Sequence, residues 1–499
     1  MLVDTGMIDT PRTVRLQSPS ILTALAFTLL LAAPALGAKY PAYVDGSFTF
    51  GDEFAEAPYG LESTFSLSSN PNATKTIYLD FTGFHSVGNS WGHNIVFPAY
   101  DLDGDSGSFS DEELIEIQQI FQNVAEDYIP FNVNVTTADP GATALRKLGD
   151  GDTHWGMRVV MTQATAGFGV GIGGDSGSSR FDDAADNPVF TFNKGARKGG
   201  LTASHEVGHT FGLAHDSYYD QEYHPGTGGY GRTSWGPLMG APFDASITQW
   251  SNGDYAGSSN TFDDYSFITS KGFGFREDDY LNSLADPHLL ESIDGEISEW
   301  GIIEERYDRD YFRFTTTTGE VSFDVNGFAQ DPNIDVGVVI YDSLGEVVVE
   351  LDPSVTPNIN YDLFLTAGDY TFFVDGVDNP GRYSDYGSLG FYDIQIGLPI
   401  AGDLNSDGFV DTDDWLLLVA GAETDLSGLS AEEAFLAGDL NGDGLNDIYD
   451  FGLFKDAFTS AHGAAEFAAL LAPEPAGLGL ATAMVLMLAG YVRCGVRTN

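Results

Sequence analysis

The stretch HEVGHTFGLAHD, residues 205–216, decides how the chain is read. Wound as a helix, it sets His205 and His209 one turn apart on a single face, about 6 Å along the axis. Glu206 lies beside them, aimed at whatever the two imidazoles hold. Gly212 tolerates a backbone conformation closed to other residues and can turn the chain sharply. His215 then returns from beyond the helix as a third ligand. Three neutral imidazoles leave a fourth position open, which is the catalytic rather than the structural arrangement of zinc. Zinc so held acidifies water and polarises a carbonyl group. Glu206 is placed to take the water's proton and pass it to a leaving amine.

Extended to the third histidine, the motif reads HExxHxxGxxH and resembles the zinc site of the metzincin peptidases. The resemblance covers roughly residues 70–285. It implies an α/β catalytic domain that uses one Zn2+ to hydrolyse a protein or peptide substrate. His205, His209 and His215 would be the ligands and Glu206 the general base. It also implies a methionine-bearing turn beneath the metal, which SWGPLMGAPFD (234–244) supplies with Met239. Some metzincins carry a metal-facing tyrosine two residues further on. Ala241 stands there in this chain, so no such ligand is expected. Asp216 is similar to the aspartate of the adamalysin (reprolysin) group, where it is structural and anchors the loop and the Met-turn. The other histidines, His224 among them, show no ligand spacing.

The surrounding pattern fits a mixed α/β order. KTIYLDF (75–81), FNVNVTT (131–137) and MRVVMT (157–162) read as strands. Residues 110–129 read as an amphipathic helix opened by a capping box of Ser110 and Glu113. PVFTFNK (188–194) is expected as the edge strand along the substrate cleft, with Gly199 and Gly200 preceding the zinc helix. The resemblance extends through residues 249–268, where it implies an acidic, helix-forming segment.

The chain is strongly acidic, with 74 Asp and Glu against 21 Lys and Arg among 499 residues and a formal net charge of −53. Such a chain repels nucleic acid and anionic membrane, and it suits a calcium-rich exterior. Its one cysteine, Cys494, excludes an intramolecular disulfide, so bound calcium is the expected staple. GDLNSDGFVDTDDW (402–415) and GDLNGDGLNDIYDF (438–451) repeat at a period of 36. The first offers Asp403, Asn405, Asp407, Asp411 and Asp414, with the backbone carbonyl of Phe409. The second offers Asp439, Asn441, Asp443, Asp447 and Asp450, with that of Leu445. Gly408 and Gly444 permit the sharp turn, and the spacing wraps a hard cation, so two Ca2+ are expected. The pair resembles dockerin type I repeats, a small α-helical domain over 400–460, which implies a cohesin partner. Thr412-Asp413 and Ile448-Tyr449 depart from the usual recognition positions, so a calcium-stapled spacer is an equal reading. DLDGDSGSFSDE (101–112) places Asp101, Asp103, Asp105 and Glu112 at loop positions one, three, five and twelve, with its glycine one position late.

Residues 290–398 read as an all-β sandwich of short alternating strands. The segment resembles the bacterial pre-peptidase C-terminal domain at Asp308-Asp310-Phe312, Asn333-Ile334-Asp335 and AGDYTFFVDG. The ends read as processing signals. Residues 1–38 carry an apolar run after Arg12 and Arg15 and before small residues, the pattern of a signal peptide, and 39–69 form a short extension. Residues 473–499 join Pro473-Glu474-Pro475, an apolar run and trailing arginines. That tail resembles the PEP-CTERM sorting signal, which implies an exosortase-like processing enzyme and at least transient membrane insertion. The leading expectation is thus an exported zinc endopeptidase, secreted or at the cell surface. Its rivals are a non-proteolytic adhesion or matrix protein and a dockerin-bearing component of a polysaccharide-degrading assembly.

Overall fold

The computed structural model describes residues 57–164, 173–177, 180–229, 232–422 and 424–471. The signal-peptide stretch 1–38 and the tail 473–499 lie outside them. Among the described residues no helix is long and apolar enough to cross a membrane.

The first layer is a five-stranded sheet in the order β4-β1-β5-β7-β6. Its strands are β1 (Lys75–Asp80), β4 (Asn134–Thr136), β5 (Trp155–Met161), β6 (Gly174–Asp175) and β7 (Val189–Thr191). All pairings are parallel except β6 on β7. A hairpin, β2 (Phe84–Asn89) and β3 (Gly92–Phe97), follows β1. Strand β7 is therefore interior and wholly buried, and β6 holds the edge. The expected edge strand at 188–194 is corrected accordingly. A two-residue strand flanked by glycines has no alternation to read, whereas Val189 and Phe190 pack on both faces.

Helices α1 (Asp111–Asp127) and α2 (Ala196–Phe211) pack on this sheet and on each other. The N-terminus of α1 is closed by the reciprocal Ser110–Glu113 bonds, and Ile117, Ile120, Phe121 and Val124 are buried. Burying each such side chain contributes roughly 1.5–3 kcal/mol over leaving it in water. Gly199 and Gly200 lie inside α2 rather than before it. A Cβ on Gly200 would stand 2.7 Å from that of Asn123, and one on Gly199 3.1 Å from Ile120. These glycines bring the two helix backbones together. Residues 57–69 pack on the same layer, through Tyr59 N to Gln118 Oε1 at 2.9 Å and Ser69 N to the Val135 carbonyl at 2.9 Å.

After α2 come β8 (Thr227–Gly229), β9 (Arg232–Pro237), β10 (Ile247–Gln249) and α3 (Asp264–Thr269). Of the segment 249–268, only its end is helical.

The sandwich has two sheets, β11-β13-β18-β15-β16 and β12-β19-β14-β17. They are built from β11 (His288–Leu289), β12 (Glu296–Ile303), β13 (Arg309–Thr316), β14 (Gly319–Gly327), β15 (Val336–Tyr341), β16 (Val347–Leu351), β17 (Ile359–Leu365), β18 (Gly368–Gly376) and β19 (Gly390–Gly397). Inward residues of both sheets, such as Phe312, Phe314, Val321 and Phe323, alternate with outward ones.

The sandwich is docked on the first layer through buried polar groups. Arg197, in the first turn of α2, pairs with Asp331 at 2.9 Å, and Asp331 accepts from Thr248 at 2.8 Å. Gln249 donates to the Asn333 carbonyl at 2.7 Å, and Asn333 reaches Asp127 at 3.2 Å. Trp235 stacks on Tyr383 with centroids 5.8 Å apart. Strand β10 and the start of the zinc helix are thus held from the sandwich side.

The last unit contains α4 (Thr412–Gly421), α5 (Ala431–Leu436), α6 (Ile448–His462) and α7 (Ala464–Leu470). Its own core includes Leu404, Trp415, Leu418, Phe454 and Phe467. Phe364 of β17 meets Phe435 of α5 at 5.6 Å, which seats the unit on the sandwich.

Candidate metal centre

Helix α2 carries His205, Glu206 and His209, and it ends at Gly212 with φ of 108°, a left-handed turn. The chain comes back so that His205, His209 and His215 bring ligand nitrogens within 4.8 Å of one another. Each imidazole is oriented by its far nitrogen. Nδ1 of His205 donates to the Leu238 carbonyl at 3.0 Å, and Nδ1 of His209 to the Leu213 carbonyl at 2.9 Å. Nδ1 of His215 donates to Glu222 Oε1 at 3.1 Å. With protons fixed on Nδ1, all three Nε2 atoms present lone pairs to the shared centre.

Nε2 of His209 and Nε2 of His215 lie 3.1 Å apart. Two lone pairs at that distance repel unless a cation stands between them. Tetrahedral zinc with bonds of about 2.1 Å sets nitrogens about 3.4 Å apart, a few tenths of an ångström wider than this pair, so the residues fit that ion. Burial and the neighbouring histidines hold the His205 pKa down, to about 3, keeping the ring neutral as a ligand must be.

Met239 lies beneath, fully buried. A Cβ on Gly208 would stand 2.5 Å from its sulfur, so only glycine lets the helix rest on this turn. Asp216 is buried; its amide donates to the Met239 carbonyl at 2.8 Å, and its carboxylate accepts from Asn260 at 3.1 Å. The Glu206 carboxylate is nearly buried and sits against Gly174 of the edge strand. Burial, with a smaller push from Asp175, raises its pKa to about 8. Glu222 and Tyr223, which have no motif spacing, also border the centre.

Acidic groups converge elsewhere. Asp278 joins Asp279 and Glu304 in one group and Asp308 and Asp310 in another, each with oxygens within 4.8 Å. Asp310 shares the inward face of β13 with Phe312 and Phe314. One oxygen each of Glu304 and Asp310 is buried without a hydrogen-bond partner. Burial first, then neighbouring carboxylates, push Glu304 to about 11 and Asp310 to about 10. Glu304, Asp308 and Asp310 are buried and Asp278 and Asp279 exposed, and an all-oxygen set of this kind suits a hard cation such as calcium. A further group joins Asp101 and Asp103 to Glu113. Glu113, the capping residue of α1, takes the place expected of Glu112, and Asp105 is not in the group. Among the described residues, the histidine centre and these acidic groups are the candidate metal sites of this compactness.

The repeat loops are built alike, without three carboxylate oxygens so close. Asp403 accepts from the amides of Asp407 and Gly408, and Asp439 from those of Asp443 and Gly444. Asp414 accepts from Leu404, Asn405 and Asp411, and Asp450 from Leu440, Asn441 and Asp447. Asn405 and Asn441 accept from the amides of Asp407 and Asp443. Asp411 and Asp447 cap α4 and α6, while Phe409 and Leu445 are exposed.

No family model matches the chain, and no curated protein matches it. Solved structures do. Over 23% of its length the chain is similar to the pre-peptidase C-terminal domain of a collagenase from Bacillus anthracis, at 13% identity, 99% of that chain and a TM-score of 0.18. It is also similar, over 23% of its length, to PliG of Salmonella Typhimurium, a periplasmic inhibitor of g-type lysozyme, at 15% identity, 98% of that chain and a TM-score of 0.17.

Proposed function

We propose that the chain is a zinc-dependent endopeptidase of metzincin type. The observation that carries this reading is the convergence of three oriented histidines beside a nearly buried glutamate. Zinc, when bound, supplies a Lewis acid that acidifies water and polarises a carbonyl. His205, His209 and His215 hold it, and their Nδ1 partners fix the rings. Glu206 accepts a proton from the attacking water and returns it to the leaving amine; a carboxyl raised toward neutrality does both. Strand β6, at the sheet edge, lies beside Glu206, and an extended peptide backbone would add to it as a further strand. A matrix or adhesion role needs the histidines but has no use for Glu206, which favours hydrolysis. Export, processing of the tail and calcium in both repeat loops belong to the same reading. The acidic groups at Asp278–Asp310 and at Asp101–Glu113 are taken as further calcium sites.

The test is Glu206→Gln in the full chain. It is expected to retain about one zinc per chain and to lose at least ~10³-fold in kcat on an unstructured protein substrate. Wild-type turnover by the zinc-loaded variant would contradict the mechanism.

A further inference from the structure

Beyond the ligands and Glu206, one more side chain faces the centre, and nothing in the spacing of the sequence singles it out. After His215 the chain doubles back through a bridge between Tyr218 and Gln221. Glu222 Oε1 then accepts a hydrogen bond from His215 Nδ1 at 3.1 Å. His224 is buried, and its amide donates to the Asp216 carbonyl at 2.7 Å. The His224 carbonyl accepts from Ala241 at 2.8 Å. Tyr223 is thus clamped between two fixed neighbours. Its ring lies on His215 with centroids 4.3 Å apart and stands 6.1 Å from His205. It stays 39% exposed, so its ring is open to solvent beside the histidines. Among the described residues nothing accepts a hydrogen bond from its hydroxyl.

We infer that Tyr223 is a catalytic residue: its phenol donates a hydrogen bond to the carbonyl oxygen of the scissile peptide as that oxygen gains charge. The inference rests on the peptidase reading. In the step, water oxygen bonds to the carbonyl carbon and its proton goes to Glu206, while the carbonyl π pair moves onto oxygen. The C–N bond then breaks as the carbonyl re-forms, and nitrogen takes the proton from Glu206. Tyr223 transfers no proton; it is a preorganised donor where negative charge develops.

The test is Tyr223→Phe in the full, zinc-loaded chain. The expected loss is about 10–100-fold in kcat with KM nearly unchanged, the range for a single preorganised donor. Zinc content should match wild type. By calorimetry, affinity for a phosphinic peptide, whose anion copies the tetrahedral state, should fall by a similar factor while affinity for a product peptide holds. Wild-type kcat in Tyr223→Phe, loss of zinc, or equal weakening of both peptides would overturn the assignment and leave the peptidase reading standing. A zinc-loaded wild type that hydrolyses nothing would overturn both.

Discussion

The histidine centre and the acidic pocket of the sandwich are made of opposite materials. The first gathers three imidazoles, each tied by its far side to an acceptor. The second gathers carboxylates around buried oxygens that have no partner. Imidazole ligands impose a smaller penalty than clustered carboxylates when no cation is present, so packing and the Nδ1 bonds can hold most of the first in place. Buried carboxylates repel one another and lose hydration, so the second must be protonated or filled. The docking surface shows a third solution, in which Arg197 supplies the positive charge for Asp331 from within the chain. The chain thus offers three settings for charge: nitrogens proposed to hold zinc, carboxylates proposed to hold calcium, and a built-in guanidinium. Only the first leaves an open position for chemistry.

Calcium removal should affect the acidic pocket most. At a hundredfold excess over Kd, one bound ion stabilises by about 2.7 kcal/mol, so chelating calcium should lower the sandwich's melting temperature by roughly 10–20 °C. Zinc withdrawn alone should shift it much less. The pH dependence follows from the raised carboxyls. Glu304 and Asp310 titrate in the folded, ion-free chain near 11 and 10, and near 4 when unfolded. Between those limits the folded state binds more protons, so stability in chelator falls as pH rises from 5 to 8. Calcium needs the ionised groups, so its stabilisation should grow over the same range. A calcium-induced shift in calorimetry that shrinks with pH would break the contrast.

A smaller effect sharpens the other side. Glu222→Gln keeps an acceptor beside His215 Nδ1 but removes its charge. Zinc affinity should fall about tenfold, at the low end for partners of ligating histidines, with melting in zinc-free buffer unchanged. Unaltered affinity in a competition titration would show that Glu222 does not tune the ligand.

Much of the centre was legible because helical spacing is rigid. His205, Glu206 and His209 share a face by geometry, and Gly212 and His215 follow from one turn. Other features depend on partners distant in the chain. Gly199 and Gly200 read as a break, yet they admit α1, and Gly208 admits Met239. Strand β6 is too short for alternation to reveal, so the edge fell on β7. Asp278 and Asp279 meet Asp308 and Asp310 only after β11 pairs with β13. A signal for that pocket did exist: Asp310 is a charge at an inward position of an alternating strand. Tyr223 and Glu222 lie in an irregular loop, where no period marks which side chain turns inward.

The most direct measurement is anomalous diffraction at the zinc edge from crystals of the full chain equilibrated with zinc and excess calcium. The account predicts one zinc peak about 2.1 Å from Nε2 of His205, His209 and His215, with none in the acidic pocket. Zinc among Asp278, Glu304 and Asp310, or no zinc at the histidines, would contradict it.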